Sequence, residues 1–441
     1  MIDIKLLREK PNLFYDSCKA RGFDTKVLDQ FFQLDENWRE NLKAINQLKH
    51  EKNTLSLEVA KAMKEGAEPS GIKDKVREIN IRIDQFEVEQ KEIEESRTRI
   101  VRIIPNLLDK EAPRCLTEEE AALVHTWGKA KVFPEDLDTF RKSSGGMEYE
   151  LLQSRPTSHV DLVQDMGIVD LERAAKTSGA RFYYMKNRLV KLELALVNYA
   201  LDFLSERGFD LVEPPFMLNY KAMEGATDVE TFKDTLYKIE GEDLYLISTA
   251  EHPLAAFFQD EILEEGALPI RLAGVSPCFR KEAGSHGKDT KGIFRVHQFT
   301  KIEQFIYCKP EDSWDFFKEL VKNSEDMFRS LELPYRVVNI CSGDLGNLAA
   351  RKYDIEAWFP SQGKFREVVS ASNDTDYQAR SLNVRYRAKG GNRFVHTLNS
   401  TAVATTRTLV AIMENNQLKN ETGFRVPKAL VPYTGFETIA K

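Results

Sequence analysis

The chain has 441 residues, of which 42% are hydrophobic and 30% charged, and it carries a formal net charge of -7. A length well past the point at which one core stops growing predicts two domains. The acidic balance excludes a generally basic nucleic-acid binder while allowing a local basic stripe. The five cysteines, Cys18, Cys115, Cys278, Cys308 and Cys341, stand singly with no CxxC pair or Cys/His cluster. That pattern disfavours a disulfide framework and a zinc site and fits a reducing compartment. No apolar run approaches the roughly 18 residues of a membrane span, so a cytoplasmic protein with no membrane partner is expected.

From about Asp24 to Leu108, Pro and Gly almost vanish and apolar residues fall at heptad spacing. Leu34, Trp38, Ile45, Leu48, Leu55, Val59 and Ala62 form one stripe, and Ile72, Val76, Ile79, Ile83, Phe86, Ile93 and Ile100 form a second. GAEPSG, Gly66 to Gly71, interrupts them. Two long helices must therefore fold back on each other, because neither stripe can remain in water. At about 1.5 Å per residue each arm would run roughly 45–60 Å. Such a hairpin could serve as a coiled coil for packing or dimerisation, or as a lever toward an elongated partner.

Residues 109–160, with LDKEAPR, GKAKVFPED and KSSGG, read as a linker with short elements. From Asp161 onward the composition is globular. A helix pattern is followed by strands joined by hairpin-length loops, which predicts an α+β fold with a largely antiparallel sheet flanked by helices. No G-x-G-x-x-G opening a helix and no GxxxxGK[ST] occurs, which argues against Rossmann and P-loop sites.

Polar residues sit where that sheet should be apolar. In PCFRKE and FRVHQFTKIEQF, expected as adjacent antiparallel strands, period 2 places Arg280 with Glu282 and aligns Arg295, His297, Phe299, Lys301, Glu303 and Phe305. Such a face makes a poor core and a good floor for a polar ligand: an aromatic plane for a base, a guanidinium fork for phosphate or carboxylate, and glutamates for amino or hydroxyl groups. A solvated face of ion pairs is the plainer alternative. LYLISTAEHPL puts Thr249 and Glu251 on one face at the end of an apolar strand, and KFREVVSASN carries Glu367 and Ser370. RFVHTLNSTAVATTRTLVAIMENNQ runs from strand into helix with Arg407 in the first turns, where an arginine can meet an anion.

Phe279-Arg280-x-Glu282, followed after a loop by Arg295-V-H-Q-Phe299-x-K-x-Glu303, resembles motif 2 of the class II aminoacyl-tRNA synthetases in its seryl form. GFDLVEPPFM is similar to motif 1, with Pro214 or Pro215 at a dimer seam. NSTAVATTRTLVAIMEN is similar to motif 3, although many relatives read NGSGLAVGR where this chain runs from Asn399 to Arg407. TAE and EVVSASN resemble further seryl-type signatures, and the helical hairpin resembles the arm of that family. The resemblance spans nearly the whole chain.

It implies a tRNA-binding coiled-coil arm domain over 1–108, a linker over 109–160 and a class II catalytic domain over 161–441. The implied activity is ATP-dependent conversion of serine to seryl-adenylate and transfer to tRNA(Ser), with tRNA(Sec) admitted as a second acceptor, in a cytoplasmic homodimer without zinc. Arg280, Arg407 and Glu367 would carry catalysis: Arg280 clamps the α-phosphate, Arg407 the γ-phosphate end, and Glu367 with Ser370 holds Mg²⁺. Phe299 would stack under adenine with Glu282 at its exocyclic amine, and Lys281, Val296, Val368 and Val369 would border the nucleotide. Glu303 and Thr401 would read the serine hydroxyl. Thr249, Ala250, Glu251 and Asn399 would line its amino side, and Arg280 would reach both ligands. The tip AGSHGKDTKG, Ala283 to Gly292, is expected to meet the tRNA acceptor end, and basic residues between Lys43 and Arg82 the tRNA backbone. A ligase that loads a carrier protein would lack the arm, and a non-catalytic scaffold would have lost Arg280, Glu282, Phe299 or Arg407.

Overall fold

The computed structural model describes residues 1–66, 68–282, 289 and 291–441; most of the expected hairpin tip, and Ala67 in the break between the heptad runs, lie outside the described residues. Two compact units emerge, Met1–Pro105 and Asn106–Lys441.

In the first unit the heptad runs form helices α1 (Lys26–Lys64) and α2 (Ser70–Ile103). Asn41 Nδ2 donates to the Phe86 carbonyl at 3.3 Å and Gln90 Nε2 to the Trp38 carbonyl at 3.4 Å, which fixes an antiparallel register. Leu48, Ile79 and Ile83 form the buried seam, with Leu55 and Phe86 packed against it; Val59, Ala62, Ile72 and Val76 are only half-buried. The stripes did not show the charged root of this hairpin. Asp35, on the inner side of α1 and fully buried, accepts from Arg8 Nη2 at 2.5 Å and from Arg97 Nη1 at 2.9 Å. Arg39 Nε lies 3.3 Å away, and the Arg97 guanidinium sits 4.2 Å from the centroid of the Trp38 ring. Burial alone would raise the Asp35 carboxyl, but the bonds from Arg8 and Arg97 outweigh it and hold the group below its ordinary range.

The second unit is built on an eight-stranded sheet. Its strands are β1 (Ala122–Trp127), β2 (Asp210–Val212), β3 (Ile270–Phe279), β4 (Gln298–Cys308), β5 (Tyr335–Asn339), β6 (Arg351–Phe359), β7 (Lys364–Thr375) and β8 (His396–Ala404), in the order β1-β5-β6-β7-β8-β4-β3-β2. Every neighbouring pair is antiparallel except β3 with β2. Strand β1 comes from the stretch read as a linker, so residues 109–160 supply the edge of the sheet. Helices α3 (Arg188–Ser205), α5 (Ser313–Ser330) and α6 (Thr405–Asn415) cover one face, where Leu192, Phe317, Leu320 and Ile412 share a core with Ile302, Val337 and Ile355. On the other face the short helix α4 (Glu251–Ala256) buries Leu254 in a smaller cluster with Phe305 and Tyr307.

The cysteines depart from expectation. Cys115 and Cys341 are joined in a disulfide across 226 positions, and Cys18, Cys278 and Cys308 are buried free thiols. Spacing could not show the pairing, because backbone bonds make it: Ser342 N donates to the Pro113 carbonyl at 2.8 Å and Gly343 N to the Cys115 carbonyl at 3.0 Å. These lay the two segments side by side. Among the described residues no helix is long and apolar enough to cross a membrane.

Candidate active site

The uncovered middle of the sheet, where β7, β8, β4 and β3 lie side by side, carries the polar residues. Thr249, Glu251, Arg280, Phe299, Lys301, Glu303, Glu367, Val368, Ser370, Ser372, Asn399, Thr401, Ala404 and Arg407 line one cavity of about 170 Å³. A second cavity of about 490 Å³ shares Glu251, Arg280, Ser370, Ser372 and Asn399 with it and adds Glu282, Arg295, His252 and Asp374. Of the residues expected at the site, four present no side chain there. Ala250, Val296 and Val369 are packed in the two cores, which leaves only their backbone to face a ligand. The Lys281 ammonium lies 5.5 Å from the centroid of the Tyr237 ring.

Irregularities in the ladder assemble this set. Glu367 and Ser370 are three apart, and strict alternation would send them to opposite faces. The β6–β7 register slips between Ile355 and Glu356, so that Glu356 faces Glu367 while Ile355 faces Val369. The extra residue, Val368, lets both side chains reach the cavity. A second slip opposite Ile302 and Glu303 pairs Glu303 with Thr401 across β4 and β8, and Thr401 Oγ1 donates to Glu303 Oε2 at 3.5 Å. Lys301, two residues from Glu303 and on its face, closes an ion pair with it in a site where the two residues are 5% and 1% exposed. Burial pushes the Glu303 carboxyl up, with Lys301 opposing.

Two expected placements are corrected. Strand β3 ends at Phe279, opposite Gln298, so Arg280, Glu282, Arg295 and His297 lie beyond the ladder and owe their positions to local bonds rather than to period 2. Arg280 N donates to the His297 carbonyl at 2.9 Å, Arg280 Nε donates to the Ser248 carbonyl at 3.2 Å, and the guanidinium sits 5.1 Å from the centroid of Phe299. Glu282 turns its side chain to Arg295, with Nε and Oε2 2.9 Å apart. It does so from a left-handed backbone, φ 51°, a conformation that costs a non-glycine residue about 1–3 kcal/mol and that clusters at functional sites. Thr249 and Glu251 likewise share no strand, since only Tyr245–Leu246 is extended. Thr249 Oγ1 instead accepts from Glu251 N at 3.1 Å at the start of α4.

Arg407, in the first turn of α6, donates from Nη1 to the Glu367 carbonyl at 3.1 Å and pairs with its carboxylate at 3.2 Å. Burial would raise Glu367, but the cations of Arg407, Lys352 and Arg280 together outweigh it and keep the carboxyl below its ordinary range. Burial, and then the Glu303 carboxylate, push Glu251 up to about 7. The same cleft holds His252, driven down to about 3 by burial and by the cations of Lys301 and Arg280. Sequence reasoning assigned no role to Lys301, Arg295, His252, Ser372 or Asp374; the alternation of Lys301 with Glu303 was the available signal for the first. The arrangement suits two anions held close together: cations at Arg280, Lys301 and Arg407, acceptors at Glu251 and Glu303, and an aromatic plane at Phe299.

An antiparallel sheet flanked by helices, with an arginine after one central strand and another in the helix that follows β8, defines a class II aminoacyl-tRNA synthetase core. Residues 232–416 match the tRNA synthetase class II core domain (G, H, P, S and T), and residues 1–108 match the seryl-tRNA synthetase N-terminal domain. The chain belongs to the seryl-tRNA synthetase family. The serine–tRNA ligase of Picrophilus torridus is 64% identical over 100% of this chain and 99% of its own length, and that of Thermoplasma volcanium is 61% identical over the whole of both. Among solved structures, the seryl-tRNA synthetase from Pyrococcus horikoshii complexed with ATP superposes with a TM-score of 0.96 at 50% identity, covering 100% of this chain and 99% of that one. The cytoplasmic serine–tRNA ligase from Naegleria fowleri in complex with AMP gives 0.85 at 38% identity, with the same coverage.

Proposed function

We propose that this chain activates L-serine with ATP and transfers the seryl group to the 3′ end of tRNA(Ser). The observation that carries the reading is the joining of Arg280, Phe299, Glu303, Thr401 and Arg407 around one cavity, in a chain half identical over its full length to a synthetase solved with ATP. In the first step a serine carboxylate oxygen attacks the α-phosphorus in line; the new P–O bond forms as the bond to the β-phosphate breaks, and pyrophosphate leaves. In the second, a terminal ribose hydroxyl of the tRNA attacks the seryl carbonyl, and AMP departs with the shared electron pair.

Holding two anions together while charge builds on phosphate oxygens requires fixed cations. Arg280 meets the α-phosphate and the serine carboxylate, anchored by the Ser248 carbonyl. Arg407 takes the γ-phosphate end. Phe299 stacks against adenine, Glu282 accepts from its amine, and the backbone around Lys281, Val296, Val368 and Val369 borders the nucleotide. The Glu367 carboxylate and Ser370 hydroxyl form a hard-oxygen pair that fits Mg²⁺, which typically binds one or two carboxylates plus substrate phosphates; the ion would neutralise phosphate charge there. Serine is too small for apolar contact to select it, so polar atoms that alanine would leave unpaired must discriminate. Glu303 and Thr401 accept and donate at its hydroxyl, while Glu251, Asn399, Thr249 and the Ala250 backbone face its ammonium.

The arm domain, 1–108, binds the tRNA backbone through exposed basic residues such as Lys61, Lys64, Lys73 and Lys75. The segment 109–160, which edges the sheet with β1, leads into the body of the catalytic domain, 161–441, which forms a cytoplasmic homodimer about Pro214 or Pro215, and the hairpin tip meets the acceptor end. Pyrophosphate exchange with serine, threonine and alanine, followed by charging of tRNA(Ser) and tRNA(Sec), tests the scheme. Serine alone should support exchange. Equal exchange with alanine would remove the assigned roles of Glu303 and Thr401.

A further inference from the structure

Asp374 is an acid that the scheme above does not use. In the β7–β8 ladder Asn373 pairs with Leu398 and Thr375 with Thr397, so Asp374 is the residue skipped. Bulges beside sites commonly re-aim a side chain. The Asp374 carbonyl accepts from Asn106 Nδ2 at 2.8 Å, which fixes the skipped residue from behind. Its carboxyl, 1% exposed, lines the larger cavity with Glu251 and Asn399 and accepts from Asn399 Nδ2 at 3.2 Å. Burial and then Glu251 raise it well above the ordinary carboxylate range. An acid buried beside a second acid destabilises the fold, so its presence here calls for a reason other than packing.

We infer that Asp374 is a positioning residue for the serine ammonium: by holding Asn399 Nδ2 it turns the amide so that Oδ1, an acceptor, faces the substrate beside Glu251. Glu251 has a relay of its own. Thr397 Oγ1 donates to Gln378 Oε1 at 2.8 Å, and Gln378 Nε2 donates to Glu251 Oε1 at 2.9 Å. Thr397 and Asn399 are two apart on β8 and therefore on one face, so adjacent relays aim the two acceptors. Without Asp374 the Asn399 amide is free to turn over and present a donor to a cation, replacing an attraction by a repulsion.

The inference rests on the placement of the serine amino group beside Asn399, and the experiment separates the two. Pyrophosphate exchange is measured for Asp374→Ala, Asp374→Leu, Asp374→Asn, Asn399→Ala and the double variant Asp374→Ala/Asn399→Ala. Asp374→Ala should raise the serine KM about ten- to a hundredfold, the range for a hydrogen bond to a charged group, and leave the ATP KM within about twofold. Asp374→Asn, which keeps an acceptor, should remain near the parent, and the double variant should be no worse than Asn399→Ala. Asp374→Leu, which keeps the same number of side-chain heavy atoms and the branch at Cγ without an acceptor, replaces the alanine variant if that one does not fold. An unchanged serine KM in the Ala and Leu variants, an equal rise for ATP, or simple multiplicativity in the double variant would overturn the inference. An Asn399→Ala enzyme with unaltered serine KM would overturn the amino-group placement itself.

Discussion

Replacing Glu303 by alanine should separate substrate recognition from fold stability at one position. The residue is 1% exposed and Lys301, its ion-pair partner, 5%, so truncation leaves an ammonium buried without its counter-charge. Breaking one side of a buried pair costs about 3–5 kcal/mol, and the loss should appear as a lower midpoint in urea. Substituting Lys301→Met on the same background should recover most of it by removing the orphaned charge. In the exchange assay the same variant loses the acceptor for the serine hydroxyl. A hydrogen bond to a charged group is worth about 1.5–3 kcal/mol, so kcat/KM for serine should fall about ten- to a hundredfold while the KM for ATP stays close to its parent value. Assays well below the unfolding midpoint keep the two effects apart. A loss of unfolding free energy below about 1 kcal/mol in the urea transition would mean that the pair is solvated, contrary to its burial, and a matching rise in the ATP KM would place Glu303 at the nucleotide instead of at serine.

Glu251, pushed up to about 7, must ionise to attract an ammonium, so the serine KM should rise as pH falls through about 7 and Glu251→Gln should flatten that profile. The folded state then keeps this proton at pH values where the unfolded chain has released it, so the group's contribution to stability falls as pH rises from about 4.5 to 7, which thermal unfolding of the parent and the Gln variant would show. Reduction of Cys115–Cys341, or Cys341→Ser, should lower stability by up to about 5 kcal/mol on the chain-entropy estimate for so long a loop; equal guanidinium midpoints with and without reductant would refute a stabilising bond. Reversing charge at Lys61, Lys64, Lys73 and Lys75, all exposed, should raise the KM for tRNA and flatten its salt dependence, because fewer phosphates are neutralised, while leaving pyrophosphate exchange untouched. A comparable loss in exchange would contradict an RNA-binding role confined to the arm.

The helical hairpin and its seam were legible because a heptad pattern states both the helix and the face it buries: Leu48, Ile79 and Ile83 meet as their spacing implies. The residues of the site were legible through chemistry out of place, arginines and glutamates in strands that ought to be apolar. Their spatial arrangement was not. Glu367 and Ser370 share a cavity through the skipped Val368, and Arg280 and Glu282 lie past the end of β3; a period of two contains neither a register slip nor the end of a ladder. Partners far apart in sequence were equally hidden: Arg8 and Arg97 on Asp35, Cys115 on Cys341, Asp374 on Asn399. Each depends on backbone brought together by the rest of the fold, and no local pattern encodes it.

The charge cluster around Asp35 makes the long hairpin a cantilever. Arg8, Arg39 and Arg97 converge on one carboxylate, so directional bonds clamp its root against rotation as well as translation. The buried apolar seam stiffens the shaft around Leu48, Ile79 and Ile83, with Leu55 and Phe86 against it, whereas Val59, Ala62, Ile72 and Val76 toward the turn are half-buried. Since the deflection of a clamped beam grows steeply with distance from its support, small bends should accumulate beyond Val59 and Ile72 while the root holds its heading. A hairpin of this kind can settle onto a surface of variable outline without transmitting the strain to its base.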